Sequence, residues 1–331
     1  MIYNTFGENF YVKGTQVQVT TDFLIATWPW FMTLLFVIAG ASSAYALKKR
    51  TVAEYMKERV YKLLIPFLFS VLLLTPVQTY FAERFHNAFT GNYFEQYILY
   101  FTKPTDLSGY QGGFAVAHLW FVLYLFIISI VALPFMLIYK KSIKKFPVEK
   151  IPLPLLLLLS FIPVFSKLIL NFSGKSVGEY LTYFLFGYFF ISSETIQEKL
   201  QKYRWSLLGI SVLCMFAYLF MGTTIESFNK FLYVFLESLY AWISILAILG
   251  MGKQYLNFSN RTTEYLSKAS FPVYIFHQQW VVAIAYFTLS RIQNIPLQMI
   301  IIIFTSIIFT FFNYEIFKRF SATRFMFGMK K

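Results

Sequence analysis

Nine stretches of this 331-residue chain are long and apolar enough to cross a lipid bilayer, and no other feature restricts the fold as strongly. They lie near residues 25–47, 62–82, 116–139, 152–170, 180–195, 205–222, 230–250, 271–289 and 297–317. A hydrocarbon core about 30 Å thick takes roughly 20 helical residues. The expected fold class is therefore all-α, a polytopic membrane helical bundle of nine transmembrane helices, in a single membrane-embedded domain over residues 1–331. Only 13% of the residues are charged, against about 25% in soluble domains. The fourth and fifth stretches are the weakest. Pro152, Pro154 and Pro163 interrupt the fourth, and Ser192 and Ser193 close the fifth early.

A formal net charge of +14 suggests a nucleic-acid partner, but the placement of the charges argues for no nucleic acid. The connections at 48–62, 140–150, 199–204, 253–268 and 318–331 hold 22 of the 29 Lys and Arg residues. The N-terminal segment and the connections near 84–103, 167–175, 230 and 291 hold the remaining seven. An excess of Lys and Arg marks the cytoplasmic side, so the surplus is topological and the C-terminus is expected inside. Nine spans then put the N-terminus outside, although residues 1–24 are polar and carry no cleavable signal pattern. Either a short tail crosses unaided, or a tenth helix precedes Met1; the second is the expectation. The lone Cys214 lies within a span, which leaves no disulfide framework and no metal cluster.

The candidate functional residues are polar groups in apolar surroundings. His277 sits in Phe271-Pro-Val-Tyr-Ile-Phe-His-Gln-Gln-Trp280, at membrane depth. An ionisable side chain there costs free energy unless it faces a bundle interior or cavity, so it is either functional or an imidazole bonded to a neighbouring helix. Glu237 is the only carboxylate near a bilayer midplane and needs a partner: His277, a tyrosine such as Tyr240, or a basic group upstream. Arg59 and Lys62 stand three residues apart where the second span begins. They suit either a phosphate or pyrophosphate, or plain cytoplasmic anchoring. His118 and Trp120 open the third span at its outer boundary, to bond a hydroxyl, act as a base, or cap the helix. The connection at 83–115, rich in aromatics and glycine, is expected to face outward, touching sugars or forming an interfacial belt. Gly40 and Ala44, with Ala39 and Ser43, form small-xxx-small pairs for close helix packing. No phosphate-binding Gly-rich loop, zinc-ligand spacing or nucleophile elbow is present. No inverted repeat is evident, which counts against a secondary transporter.

Taken in order, Phe36-Val-Ile-Ala-Gly40, Arg59-Val-Tyr-Lys62-Leu-Leu-Ile-Pro66, His118-Leu-Trp-Phe121 and Phe271-Pro-Val-Tyr-Ile-Phe-His277 resemble the acyltransferase 3 family of bacterial membrane proteins. The flavour is closest to the branch that decorates glucans and other surface polysaccharides. The resemblance implies a ten-span enzyme of the bacterial cytoplasmic membrane. Such an enzyme binds no resident cofactor and takes an acyl group from cytoplasmic acyl-CoA, its co-substrate. It passes that group to a hydroxyl on a carbohydrate, lipid-linked glycan or membrane lipid at the outer face. It also implies donor contact at Arg59, with Lys62 where the family usually has a second Arg; Lys keeps the charge and loses the fork. The family's first helix carries an essential histidine that no residue here matches, in keeping with the expected upstream helix. On this reading His277 and His118 are the candidate catalytic residues. Trp120, Glu237, Tyr274 and Gln278 line the pocket, with Tyr274 and Gln278 flanking His277 on one helix face. The rivals are a saccharide transporter or flippase using Glu237 and His277, and a truncated, non-catalytic remnant.

Overall fold

The computed structural model describes residues 1–4, 10–141, 147–172, 174–224 and 230–329. All nine apolar stretches fall on helices. Among the described residues six helices are both long and apolar enough to cross a membrane: Gln18–Lys49, Val52–His86, Ala117–Lys141, Arg204–Met221, Lys230–Tyr255 and Ile295–Phe317. Leu153–Ser166 and Val177–Ile191 are shorter, in line with the prolines and serines that break them. Arg261–Leu289 has the length, at 29 residues, but its polar run His277-Gln278-Gln279 lowers its hydropathy. The protein is an all-α, multi-pass membrane protein.

The bilayer replaces water as the solvent of these helices, and side-chain placement follows from that. On Ile295–Phe317 the buried residues are Gln298, Ile302, Ser306, Thr310 and Tyr314, one every four positions. The exposed face carries Ile300, Ile303, Phe304, Ile307, Ile308 and Phe312. The stripe is inside because small side chains such as Ser306 and Thr310 let helices pack closely where lipid is as apolar as leucine.

By their contacts the residues form two compact units. The first comprises 1–22, 57–126 and 259–331. Its N-terminal segment differs from the polar tail expected of residues 1–24. Tyr11 and Val12 are fully buried, in a cluster with Ile2, Tyr3, Phe10, Ala82, Val282, Ala285 and Ile302. The alternation of apolar residues with Asn, Gly, Lys and Thr hides this anchor from a hydropathy average. The connection at 83–115 also differs from the expected loop, since it contains the helix Tyr93–Thr102. Asn92 caps its first turn and Glu95 completes a capping box, closing off orphan backbone donors. Phe94, Ile98 and Phe101 are exposed on one side, Gln96 and Tyr100 buried on the other. That distribution suits a helix lying at a membrane interface. Gly112 lies beyond it at φ +87°, and a Cβ there would come within 1.8 Å of Glu83 Oε1. The left-handed turn packs directly on the buried Glu83, whose carboxylate pairs with the half-buried Lys103 at an N···O distance of 2.6 Å.

The second unit comprises 23–56 and 127–258. A Cβ on Gly40 would sit 1.8 Å from the Phe184 carbonyl oxygen, and one on Gly187 would sit 1.9 Å from that of Val37. The two helices thus touch backbone to backbone, as the small residues of the first span imply. Trp242 is fully buried and donates from its indole nitrogen to the Leu156 carbonyl at 2.8 Å, inside the proline-broken fourth stretch.

Candidate active site

Two of the three histidines meet in the first unit. His118 lies in a short 3-10 turn, Ala117–Leu119, that starts the Ala117–Lys141 helix. His277 projects from the middle of Arg261–Leu289. Their ring centroids are 5.0 Å apart at 75°. Tyr274, one turn before His277, has its ring 5.5 Å from that of His118 and 5.7 Å from that of His277. The two backbones are clasped in both directions. Tyr274 donates its hydroxyl proton to the His118 carbonyl, and His118 Nε2 lies 3.1 Å from the Ile275 carbonyl oxygen.

Those carbonyls select the tautomers. A carbonyl oxygen can only accept, so the ring nitrogen facing it must carry the proton. His118 Nε2–H donates to Ile275, which leaves Nδ1 as its lone-pair nitrogen, buried and without a hydrogen-bond partner. His277 Nδ1–H donates to the Tyr274 carbonyl at 2.6 Å, which leaves Nε2 as its basic nitrogen. His118 Nδ1 is sealed from solvent, and His277 Nε2 carries the other lone pair of the two rings. The sequence picked out both histidines but not their proximity, nor the backbone carbonyls that orient them.

The remaining candidates occupy three places. Gln278 is partly buried beside His277, and Gln279 is the more buried of the two, at 7% exposure. Trp120 is partly buried one residue past the His118 turn, with its ring 5.3 Å from Tyr124 and perpendicular to it. Arg59 and Lys62 are not on one uninterrupted α-helical face, because Arg59 is followed by a π-helical turn, Val60–Leu64. Lys62 pairs with Glu58 on the preceding turn. Against this stretch packs a segment that the sequence did not single out, the C-terminal helix Ser321–Met326 and its closing Gly328. A Cβ on Gly328 would lie 3.2 Å from the Phe271 ring and 3.4 Å from the Lys62 carbonyl oxygen. Gly328 therefore sits between the basic turn and Phe271, which lies six residues or about 9 Å along the helix from His277.

Glu237 belongs to the second unit, and its partner is none of those expected. Lys167 Nζ lies 2.6 Å from Glu237 Oε2 and 4.0 Å from Glu179 Oε1. Tyr240 donates instead to the Ala26 carbonyl at 2.5 Å. Lys167 escaped notice because it ends the proline-broken fourth stretch, where it reads as a connection residue. All three charged side chains are largely buried, so Lys167→Met is expected to cost about 3–5 kcal/mol by stranding the two carboxylates. Adding Glu237→Gln should recover part of that loss. Thermal unfolding in detergent of the single and double variants checks this; a Lys167→Met midpoint equal to wild type would remove the pair from the fold's supports.

A family model described as an acyltransferase domain matches residues 3–314. Neither the curated proteins nor the solved structures contain a match to the chain.

Proposed function

The chain belongs to the acyltransferase 3 family and is a membrane acyltransferase; from that premise we propose that it moves a small acyl group, such as acetyl, from cytoplasmic acyl-CoA to a hydroxyl of a cell-surface carbohydrate or lipid. The observation that carries this reading is the His118–His277 pair, whose rings are set by backbone carbonyls so that His277 Nε2 keeps its lone pair. His277 Nε2 takes the proton of the acceptor hydroxyl as its oxygen attacks the thioester carbonyl. A C–O bond forms, the C–S bond breaks, and the proton passes on to the departing thiolate. General-base help of this kind is worth ~10²–10⁴-fold in rate. The Tyr274 hydroxyl is committed to the His118 carbonyl, so it positions the pair, and oxyanion donation falls to Gln278 or Trp120.

The basic turn at Arg59 and Lys62 supports donor entry from the end of the bundle that the charge bias assigns to the cytoplasm, in a bacterial inner membrane. Gly328 separates it from Phe271, on the helix that carries His277. Arg59, whose planar fork matches a phosphate where Lys62 is a point charge, is the main phosphate contact. With radiolabelled acetyl-CoA and acceptor-bearing membranes, Arg59→Ala is expected to raise the KM for the donor roughly tenfold, and Lys62→Ala less than that. Label that reaches no hydroxyl product, or substrate movement independent of donor, would overturn the acyl-transfer reading in favour of transport.

A further inference from the structure

We propose that a cavity in the first unit, at the end opposite the basic turn, binds a phosphate-bearing group. The cavity has a volume of about 440 Å³. Lys13 and Thr15 line it from the N-terminal segment, Arg84 and Phe85 from the end of the Val52–His86 helix, and Tyr286 and Ser290 from the end of Arg261–Leu289. Among the described residues, none that lines it is acidic.

Three observations mark this as a place for an anion. The first is how Arg84 is held. Its Nη1 donates to the Tyr80 hydroxyl at 2.8 Å and its Nε to the Tyr286 hydroxyl at 3.4 Å. Phenol oxygens fix the guanidinium plane without neutralising it, and an arginine has five N–H donors to offer. By contrast, Lys62, Lys103, Lys167, Lys253 and Lys318 are each paired with a carboxylate. The adjacent acid, Glu83, is 3% exposed and bonded to Lys103 and Asn87.

The second observation concerns position. Only seven Lys and Arg residues lie on this side of the chain's charge pattern, and two of them converge here. Anchoring to the cytoplasmic leaflet cannot account for cations at the end where they are scarce. The third is rigidity. Gly14 N donates to the Ile2 carbonyl at 3.0 Å, Val17 N to the Tyr3 carbonyl at 2.7 Å, and the Tyr3 hydroxyl to Gln298 Oε1 at 3.1 Å. The Lys13–Thr15 wall is thus tied down. The three N–H groups that Arg84 has left, with the hydroxyls of Thr15 and Tyr286, suit the several oxygens of a phosphate. The assignment of that phosphate to the acyl acceptor rests on the acyl-transfer reading; the anion site itself does not.

The test uses the full chain purified in neutral detergent, with no acyl donor present. Inorganic phosphate is expected to raise the thermal midpoint in a concentration-dependent way beyond chloride of equal ionic strength. Arg84→Gln should weaken that effect by roughly tenfold in phosphate concentration. Thr15→Asp puts a carboxylate on the cavity wall at an exposed position and should do the same. Competition then separates the sources. Displacement by phosphatidylglycerol in mixed micelles, and not by glucose 1-phosphate, identifies a lipid head group; displacement by glucose 1-phosphate identifies a phosphorylated glycan. The proposal fails if phosphate gives no shift beyond chloride, or if both variants respond as wild type does. Loss of acyl transfer in the same preparation leaves either outcome readable.

Discussion

His277→Asn is expected to lower acyl transfer by ~10²–10⁴-fold while leaving the thermal midpoint near that of wild type. Asparagine places an N–H donor close to where Nδ1 stands, so the bond to the Tyr274 carbonyl survives. What disappears is the Nε2 lone pair. The same substitution at His118 should act differently. His118 Nε2 bonds the Ile275 carbonyl, beyond the reach of the shorter asparagine, so the clasp loosens and both rate and stability fall. The measurement is turnover with labelled acetyl-CoA alongside unfolding of each variant. If His277→Asn kept its rate within a few-fold, the base would lie elsewhere and the histidine pair would be a packing device.

Gly40→Ala should be the most damaging single methyl group that can be added to the second unit. The new Cβ would meet the Phe184 carbonyl oxygen at 1.8 Å, a backbone atom that cannot rotate away. The helices must separate, at an expected cost of about 3 kcal/mol, which lowers the midpoint by roughly 6–12 °C. Gly187→Ala should match it, since its Cβ would meet the Val37 carbonyl across the same contact. The controls are Gly209→Ala and Gly252→Ala, on helices where a Cβ would meet nothing within 4 Å. There the better helix propensity of alanine should leave stability unchanged or improve it by up to about 1 kcal/mol. If Gly40 and Gly209 responded alike, the close crossing would not matter to the fold.

These contrasts show where the sequence is informative. Hydropathy over twenty residues located all six of the helices that, among the described residues, are long and apolar enough to cross, because that signal is local and averaged. It overlooked the ten-residue helix Tyr93–Thr102, whose apolar side faces outward at a spacing that mimics an aromatic loop. It also overlooked the buried N-terminal anchor, whose apolar residues come in twos and threes. Pairings are set by packing and leave little local trace. Nothing near Glu237 points to Lys167, 70 positions away, and nothing in either histidine motif points to the other. The short motifs marked two residues that the fold brings together, His118 and His277, because a polar side chain in an apolar run stands out wherever its partner lies. The Ile295–Phe317 helix is a warning in the same vein: docked with its greasiest face inward, it would be placed backwards.

The histidine pair is oriented by carbonyl dipoles, and among the described residues no carboxylate bonds either ring. On the reaction proposed above, a proton leaves the acceptor toward the thiolate while an acylium equivalent travels the opposite way. One positive fragment is exchanged for another, and the site needs no fixed ion to balance the books. A charge crossing the bilayer gains or loses about 2.3 kcal/mol per 100 mV, and this exchange carries none. Transfer across the membrane by this centre is therefore electroneutral, and its equilibrium is the same in an energised cell as in a depolarised one.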